Sequence, residues 1–145
     1  MSPIAVARLA PGAITDHDVA AVNRLVQEFR PGVRTLDAAD LRAVAEDVFL
    51  FVARQQDGRA VGMATLVVFR KPIGFCGRVE DVIVTAECRG LGAGRLLMRE
   101  LIKAARALKL DYLDLTSNPR RTAARSLYQS LGFVIRDTNA FRLAL

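Results

Sequence analysis

The sequence predicts an α/β fold: a mixed, mostly antiparallel central sheet with helices on both faces, in the order β-α-α-β-β-β-α-β-α-β. Three observations carry that expectation. Segments with a helical apolar period alternate with β-branched and aromatic runs. The runs in the middle of the chain follow one another without an intervening helix, two of them joined through Asp57-Gly58, a strong hairpin turn. Only one strand–helix–strand unit stands out, which argues against a doubly wound parallel sheet. A chain of 145 residues, 52% of them hydrophobic, fits one domain over 1–145 and excludes a disordered tail protein.

Ile4 to Leu9 alternates weakly and reads as the first strand, closed by Pro11-Gly12. Thr15 or Asp16 can cap a helix over Asp18 to Phe29, where Val19, Val22, Leu25, Val26 and Phe29 recur at helical intervals and Arg30-Pro31-Gly32 stops the run. Leu36 to Asp47 is expected to form a shorter helix capped by Asp37. The period then changes. Val48 to Arg54, Ala60 to Phe69 and Val79 to Thr85 read as three strands, the last preceded by a loop over Lys71 to Gly77. The strongest helix follows, with Gly94, Leu97, Met98, Leu101, Ile102, Ala105 and Leu108 on one stripe. Tyr112 to Thr116 is a short strand, Pro119 to Leu131 a helix, and Phe133 to Leu143 one or two closing strands.

Several classes of protein are disfavoured by composition. No apolar run approaches the roughly 18 residues of a membrane helix, and Arg8 and Pro11 interrupt Ile4-Ala5-Val6-Ala7 before a signal peptide develops. Cys76 and Cys88, with one histidine in the chain, have no metal spacing around them, so no metal site is expected. A cytoplasmic protein without a membrane partner is the expectation. The 21 Lys and Arg against 15 Asp and Glu give a net charge of +6, which favours acidic partners. Apart from Arg120-Arg121 with Arg125 there is no basic run, and the aromatics are not interleaved with arginine, so nucleic acid is not favoured as the partner.

The sharpest chemical signal is Arg89-Gly90-Leu91-Gly92-Ala93-Gly94-Arg95, set between a strand and a helix. Free backbone N–H groups at a helix N-terminus bind anions, and glycines let phosphate approach, with Arg89 and Arg95 adding charge at the rim. A tight turn serving only backbone geometry is the alternative. The dinucleotide fingerprint fails, because Arg95 stands where Gly or Ala is needed, and a Walker A loop lacks its Gly-Lys-Ser/Thr.

Val82-Ile83-Val84, then Arg89-x-x-Gly92-x-Gly94, the long helix, and Leu127-Tyr128-x-x-x-Gly132-Phe133 together resemble the GNAT superfamily of acyl-CoA-dependent N-acetyltransferases, and the inferred element order fits that family over nearly the whole chain. The resemblance implies acetyl-CoA as co-substrate and an amine acceptor, with transfer by direct attack in a ternary complex. It implies that Arg89, Gly90, Leu91, Gly92, Ala93, Gly94 and Arg95 hold the coenzyme pyrophosphate. Backbone groups of Val82, Ile83 and Val84 would pair with the pantetheine arm, a main-chain N–H of that strand would polarise the acetyl carbonyl, and Tyr128 would protonate the departing thiolate. A non-catalytic acyl-CoA-binding or protein-interaction module on the same fold is the competing reading.

Tyr128 shares a helical stripe with Ala124, Leu127 and Leu131, so a core role is the alternative for it. Glu80 should lie on the strand face of Val82 and Val84, with Asp81 facing the other way as a structural residue. A primary amine is neutral in only about one part in 10³ at pH 7, a cost of roughly 4 kcal/mol, so a proton acceptor is useful. Glu80 is the candidate; an ordinary ion pair, for instance with Arg78, is the alternative. Some amino-sugar acetyltransferases of the family carry a Glu-Asp segment similar to Glu80-Asp81-Val82-Ile83-Val84. Many members carry a cofactor-touching Asn two turns before the tyrosine, where this chain has Arg121. Asn118 lies a turn earlier, and with Pro119 it reads as a helix cap or as that cofactor contact. By family analogy the acceptor groove is covered by 30–36 and by the loop Lys71 to Gly77, where Arg30, Arg34 and Lys71 suit an anionic acceptor. A homodimer is left open.

Overall fold

The computed structural model describes residues 3–145. These form two compact units, one running to Asp114 and the other Leu115–Leu145. The first holds a five-stranded sheet in the order β1-β2-β3-β4-β5, with β1 Ile4–Arg8, β2 Phe49–Gln55, β3 Ala60–Lys71, β4 Gly74–Val84 and β5 Leu113–Asp114. Four antiparallel strands run consecutively, and β5 joins β4 in parallel. The mixed, mostly antiparallel α/β architecture read from the sequence is thus the one observed.

Helix α1, Asp16–Phe29, begins at Thr15, whose hydroxyl accepts from the Asp18 amide at 3.2 Å while Asp18 accepts from the Thr15 amide at 2.9 Å. Helix α2, Ala38–Asp47, is boxed the same way by Asp37 and Asp40. Their apolar stripes meet one face of the sheet: Val22, Leu25 and Leu41 pack with Leu50, Val52, Met63 and Ile83. Helix α3, Ala93–Ala107, buries Leu97, Met98, Leu101 and Ala105. Leu97 lies over Gly62, whose neighbour Met63 faces α1, so α3 covers the opposite face.

Three expectations are corrected. The loop over Lys71 to Gly77 is a tight hairpin: β3 and β4 continue to Lys71 and Gly74, with only Pro72 and Ile73 outside the ladder. Gly74 and Gly77 look like loop residues but serve close packing; a Cβ on Gly77 would stand 2.6 Å from Leu113 and 2.8 Å from Leu110. In the second unit, α4 spans Thr122–Ser130 and starts later than expected, because Asn118 turns its side chain onto the Arg120 amide at 2.9 Å instead of capping a helix. No strand forms over 133–143. The apolar residues of that stretch, Val134, Ile135, Phe141 and Leu143, are exposed, so the pattern that suggested strands is not matched by a ladder.

Asp18 ties α1 to the sheet. It receives the Thr15 amide and hydroxyl, and Arg54 of β2 donates to it at 2.6 Å. Burial alone would raise its pKa, but the Thr15 hydrogen bonds and the Arg54 charge, with His17 assisting, hold it below the ordinary 3.8. A depressed carboxylate contributes stability above its unfolded pKa and loses it as pH falls through the folded value. Asp18→Ala is expected to lower unfolding free energy by roughly 2–3 kcal/mol at neutral pH, since a largely buried pair loses one partner and the helix its box. In urea titrations the gap from wild type should be widest above pH 3.8 and close below it.

Candidate active site

The site is built on β4 and on the turn that follows it. β3 and β4 pair regularly until Thr65 meets Glu80; the next aligned pairs are Met63 with Ile83 and Gly62 with Val84. One extra residue therefore sits in β4, a β-bulge, and Asp81 within it takes a φ of 49°, rare for a residue with a side chain. The bulge changes the facing. Glu80 shares its face with Ile83 and Met63, whereas Val84 has moved to the face of Gly62 and Leu97, so Glu80, Val82 and Val84 do not share one face as strict alternation predicted.

The bulge also coincides with a parting of strands. The β4–β5 ladder is confined to Gly77 and Arg78. Beyond it, among the described residues, Val79–Val84 are held by β3 on one side only, which leaves main-chain donors and acceptors on the outer edge. An extended amide-bearing chain can be taken there as an added strand.

After β4, a 3₁₀ turn over Ala86–Cys88 leads to the glycine loop. Gly90 and Gly92 adopt φ of 76° and 89°, and a Cβ on either would meet nothing within 4 Å. Their role is thus the left-handed backbone rather than clearance. Gly92 is the N-cap of α3; no side chain caps this helix and no acid occupies its first turn. The amides of Gly90, Gly92, Ala93 and Gly94 find no acceptor among the described residues, while Leu96 N–H already bonds the Gly92 carbonyl at 3.0 Å. Uncapped donors at the positive end of a well-packed helix, flanked by Arg89 and Arg95, fit a diphosphate. The donor set therefore matches the phosphate end of coenzyme A.

Electrostatics gather at the bulge. Arg78 donates to Glu80 through its Nε, the ion pair weighed from the sequence, and both side chains are partly exposed. Asp81 is open to solvent on one side but crowded by protein on the other; that desolvation, then the Glu80 charge, raises its pKa above 3.8, against the opposing pull of Arg30. Asp81, expected as a structural residue facing the other way, sits in the bulge itself. The missed signal is a carboxylate at the centre of an apolar strand run, where strict alternation fails. Of the cations singled out for an acceptor, Arg34 pairs with Asp40 at 3.1 Å and Lys71 donates to the Tyr112 hydroxyl, leaving Arg30 as the one whose charge acts on Asp81.

Tyr128 and Asn118 belong to the second unit. Gly132, with φ 97°, ends α4 in the left-handed region, so the chain folds back: Phe133 N–H bonds the Tyr128 carbonyl at 3.0 Å and the two rings meet edge-on at 6.0 Å. The Tyr-x-x-x-Gly-Phe spacing is that of a helix-stop clamp. Tyr128 is buried, and burial raises its pKa above 10.0 although Arg121 opposes it, so the phenol keeps its proton at neutral pH. Among the described residues no group of three His, Cys, Asp or Glu side chains could hold a metal, and no helix is long and apolar enough to cross a membrane.

Comparison with known proteins gives the class to which this fold belongs. The family model for the Acetyltransferase (GNAT) family matches residues 19–133. Glucosamine 6-phosphate N-acetyltransferase of Trypanosoma brucei brucei is 31% identical over 105 residues, which are 70% of this chain and 69% of that protein. Glucosamine 6-phosphate N-acetyltransferase 1 of Oryza sativa subsp. japonica is 34% identical over 102 residues, 68% of this chain but only 60% of the rice protein. In fold, an aminoglycoside acetyltransferase from an uncultured soil metagenomic sample superposes with a TM-score of 0.85 at 16% identity, covering 98% of this chain and 96% of that one. The chain belongs to the acetyltransferase (GNAT) family, and so to the enzymes that move an acetyl group from acetyl-CoA to an amine.

Gly92→Ala should destabilise by about 1–2 kcal/mol through its left-handed φ alone. Gly92→Asp adds a carboxylate that can cap α3 itself and occupy the amides. Calorimetry with CoA should find binding retained in the alanine variant and lost in the aspartate variant; equal affinities would show that the loop does not take the diphosphate.

Proposed function

We propose that this enzyme acetylates the primary amine of a small molecule or peptide that also carries an anionic group, by direct attack on acetyl-CoA in a ternary complex. The reading is carried by one observation: an uncapped α3 N-terminus with left-handed glycines, directly after a strand whose ladder to β5 covers only Gly77 and Arg78 among the described residues. Amides at 90–95 would take the pyrophosphate and Val82–Val84 the pantetheine amides, so the thioester lies along β4 near the bulge. An N–H freed by the bulge would receive the carbonyl oxygen as it gains charge.

The amine nitrogen attacks the acetyl carbon, the C–S bond breaks, and the sulfur takes the Tyr128 phenolic proton. The proton lost by the nitrogen goes to the carboxylate pair at the bulge. Within that pair Glu80 is oriented by Arg78, while Asp81 has the raised proton affinity that suits an acceptor. The carboxyl then releases its proton to solvent and the phenolate recovers one from it, so no net proton is gained or lost. The products are the acetamide and CoA. Asn118 accepts the Arg120 amide through its Oδ1, so a cofactor contact would fall to its Nδ2.

An anionic acceptor is supported by Arg30, whose charge acts on Asp81, and by the glucosamine 6-phosphate activity in the names of the trypanosome and rice relatives. Following free thiol, glucosamine 6-phosphate should be acetylated in preference to glucosamine and to neutral peptide amines, and Arg30→Ala should narrow that preference. Equal or better use of the uncharged amines would overturn the anionic acceptor. Tyr128→Phe should lower turnover roughly 10²–10⁴-fold with CoA affinity kept; unchanged turnover would remove its role.

A further inference from the structure

Helix α1 ends against its own dipole. The last turn of a helix favours cations, yet this one carries Glu28 and no basic residue. The Glu28 carboxylate reaches across 58 positions to accept the Ala86 N–H at 2.8 Å. Ala86 opens the 3₁₀ turn that joins β4 to the glycine loop. The residue before it, Thr85, is of a type that commonly caps such a start. Thr85 makes no capping bond, however, and its hydroxyl is buried without a hydrogen-bond partner. The turn's leading donor is therefore satisfied from outside, by α1.

The surroundings show what that contact governs. On the same turn Glu87 pairs with Arg59, and Cys88 is buried. On the far side of the loop, α3 is locked by Leu97, Met98 and Leu101, all fully buried. Between these anchors the amides of Gly90, Gly92, Ala93 and Gly94 have no internal acceptor to hold them. Their direction depends on the two ends. One α1 turn also reaches the other loop of the site: Gln27, next to Glu28, accepts the Gly32 amide at 3.1 Å and donates to the Val33 carbonyl.

We propose that Glu28 is a positioning residue for the coenzyme: by holding the Ala86 amide it sets the angle at which loop 89–95 leaves β4, and so aims the α3 amides at the diphosphate. This rests on reading that loop as the diphosphate site. The contact is a hydrogen bond rather than a charge effect on the coenzyme, and a carboxamide oxygen of equal reach can replace it. A carboxylate one methylene shorter cannot.

Calorimetric titration with CoA alone tests this in wild type, Glu28→Ala, Glu28→Asp and Glu28→Gln, each with its thermal midpoint. Glu28→Ala and Glu28→Asp should bind about 5–10-fold more weakly, the scale of one ordinary hydrogen bond. Glu28→Gln should stay within about twofold of wild type, and slow exchange of the Ala86 amide should survive in Gln but not in Asp. Should the alanine variant misfold, the Asp and Gln pair decides. Wild-type affinity in Glu28→Asp, or a loss in Gln as large as in Asp, overturns the proposal while leaving the loop assignment standing. Absence of CoA binding by wild type overturns both.

Discussion

The pairing of β3 with β4 is the interaction on which the rest of the molecule depends. It is the longest ladder in the sheet, running from Gly62–Val84 down to Lys71–Gly74, and it carries a single discontinuity at Asp81. A sheet of this length twists, and a bulge concentrates that twist at one place. Here the discontinuity lies just beyond the two residues where β5 remains attached. The same stretch of strand thus bends and loses its outer neighbour, and a half-paired edge is held rigid by β3 behind it. Rigidity matters because donors that must meet a reacting group cannot reorganise cheaply at the moment of reaction.

The anion loop follows from packing rather than from charge. Its strongest donors are main-chain amides, and those are placed by burying Leu97, Met98 and Leu101 of α3 against the sheet. Burial of three such side chains is worth several kcal/mol, which offsets the cost of leaving four amides without internal partners. The net charge of +6 is therefore poor guidance to the site. Arg34, Arg54 and Arg59 are tied instead to Asp40, Asp18 and Glu87, outside the glycine loop.

What was legible in the sequence was local. Thr15 and Asp37 announce two helix starts, the α3 stripe announces its buried face, and Asp57-Gly58 announces a hairpin that the structure closes with Gly58 N–H on the Gln55 carbonyl. The glycine turn between strand and helix was legible for the same reason, since its spacing is short and its left-handed positions fall on glycine. Residues acting over distance were not. Gly74 and Gly77 read as loop residues because nothing in their neighbourhood reveals that Asp111, in the one case, and Leu110 and Leu113, in the other, need the space. Asp81 looked structural because alternation assumes an unbroken ladder, and the closing strands were inferred from a pattern with no partner named. Pattern reports preference; it does not report what lies opposite.

The division between the two halves of the site bears on how the acceptor would be chosen. In the proposed reading the coenzyme side would use backbone groups, which constrain sequence chiefly at Gly90 and Gly92 through φ. The segment 30–36 is different. It is stapled by amide side chains of α1: Asn23 donates to the Leu36 carbonyl at 2.9 Å and accepts its amide at 2.8 Å, and Gln27 holds Gly32 and Val33. Since these staples bond main chain, the side chains carried between them, Arg30, Val33 and Arg34, are not needed to shape the loop. Exposed positions on a pre-ordered loop can change with little cost in folding. In the proposed reading this is where acceptor preference resides, and it follows that one scaffold can retain its thioester chemistry while exchanging amines, because the chemistry is anchored in the β3–β4 ladder and the choice of amine is not.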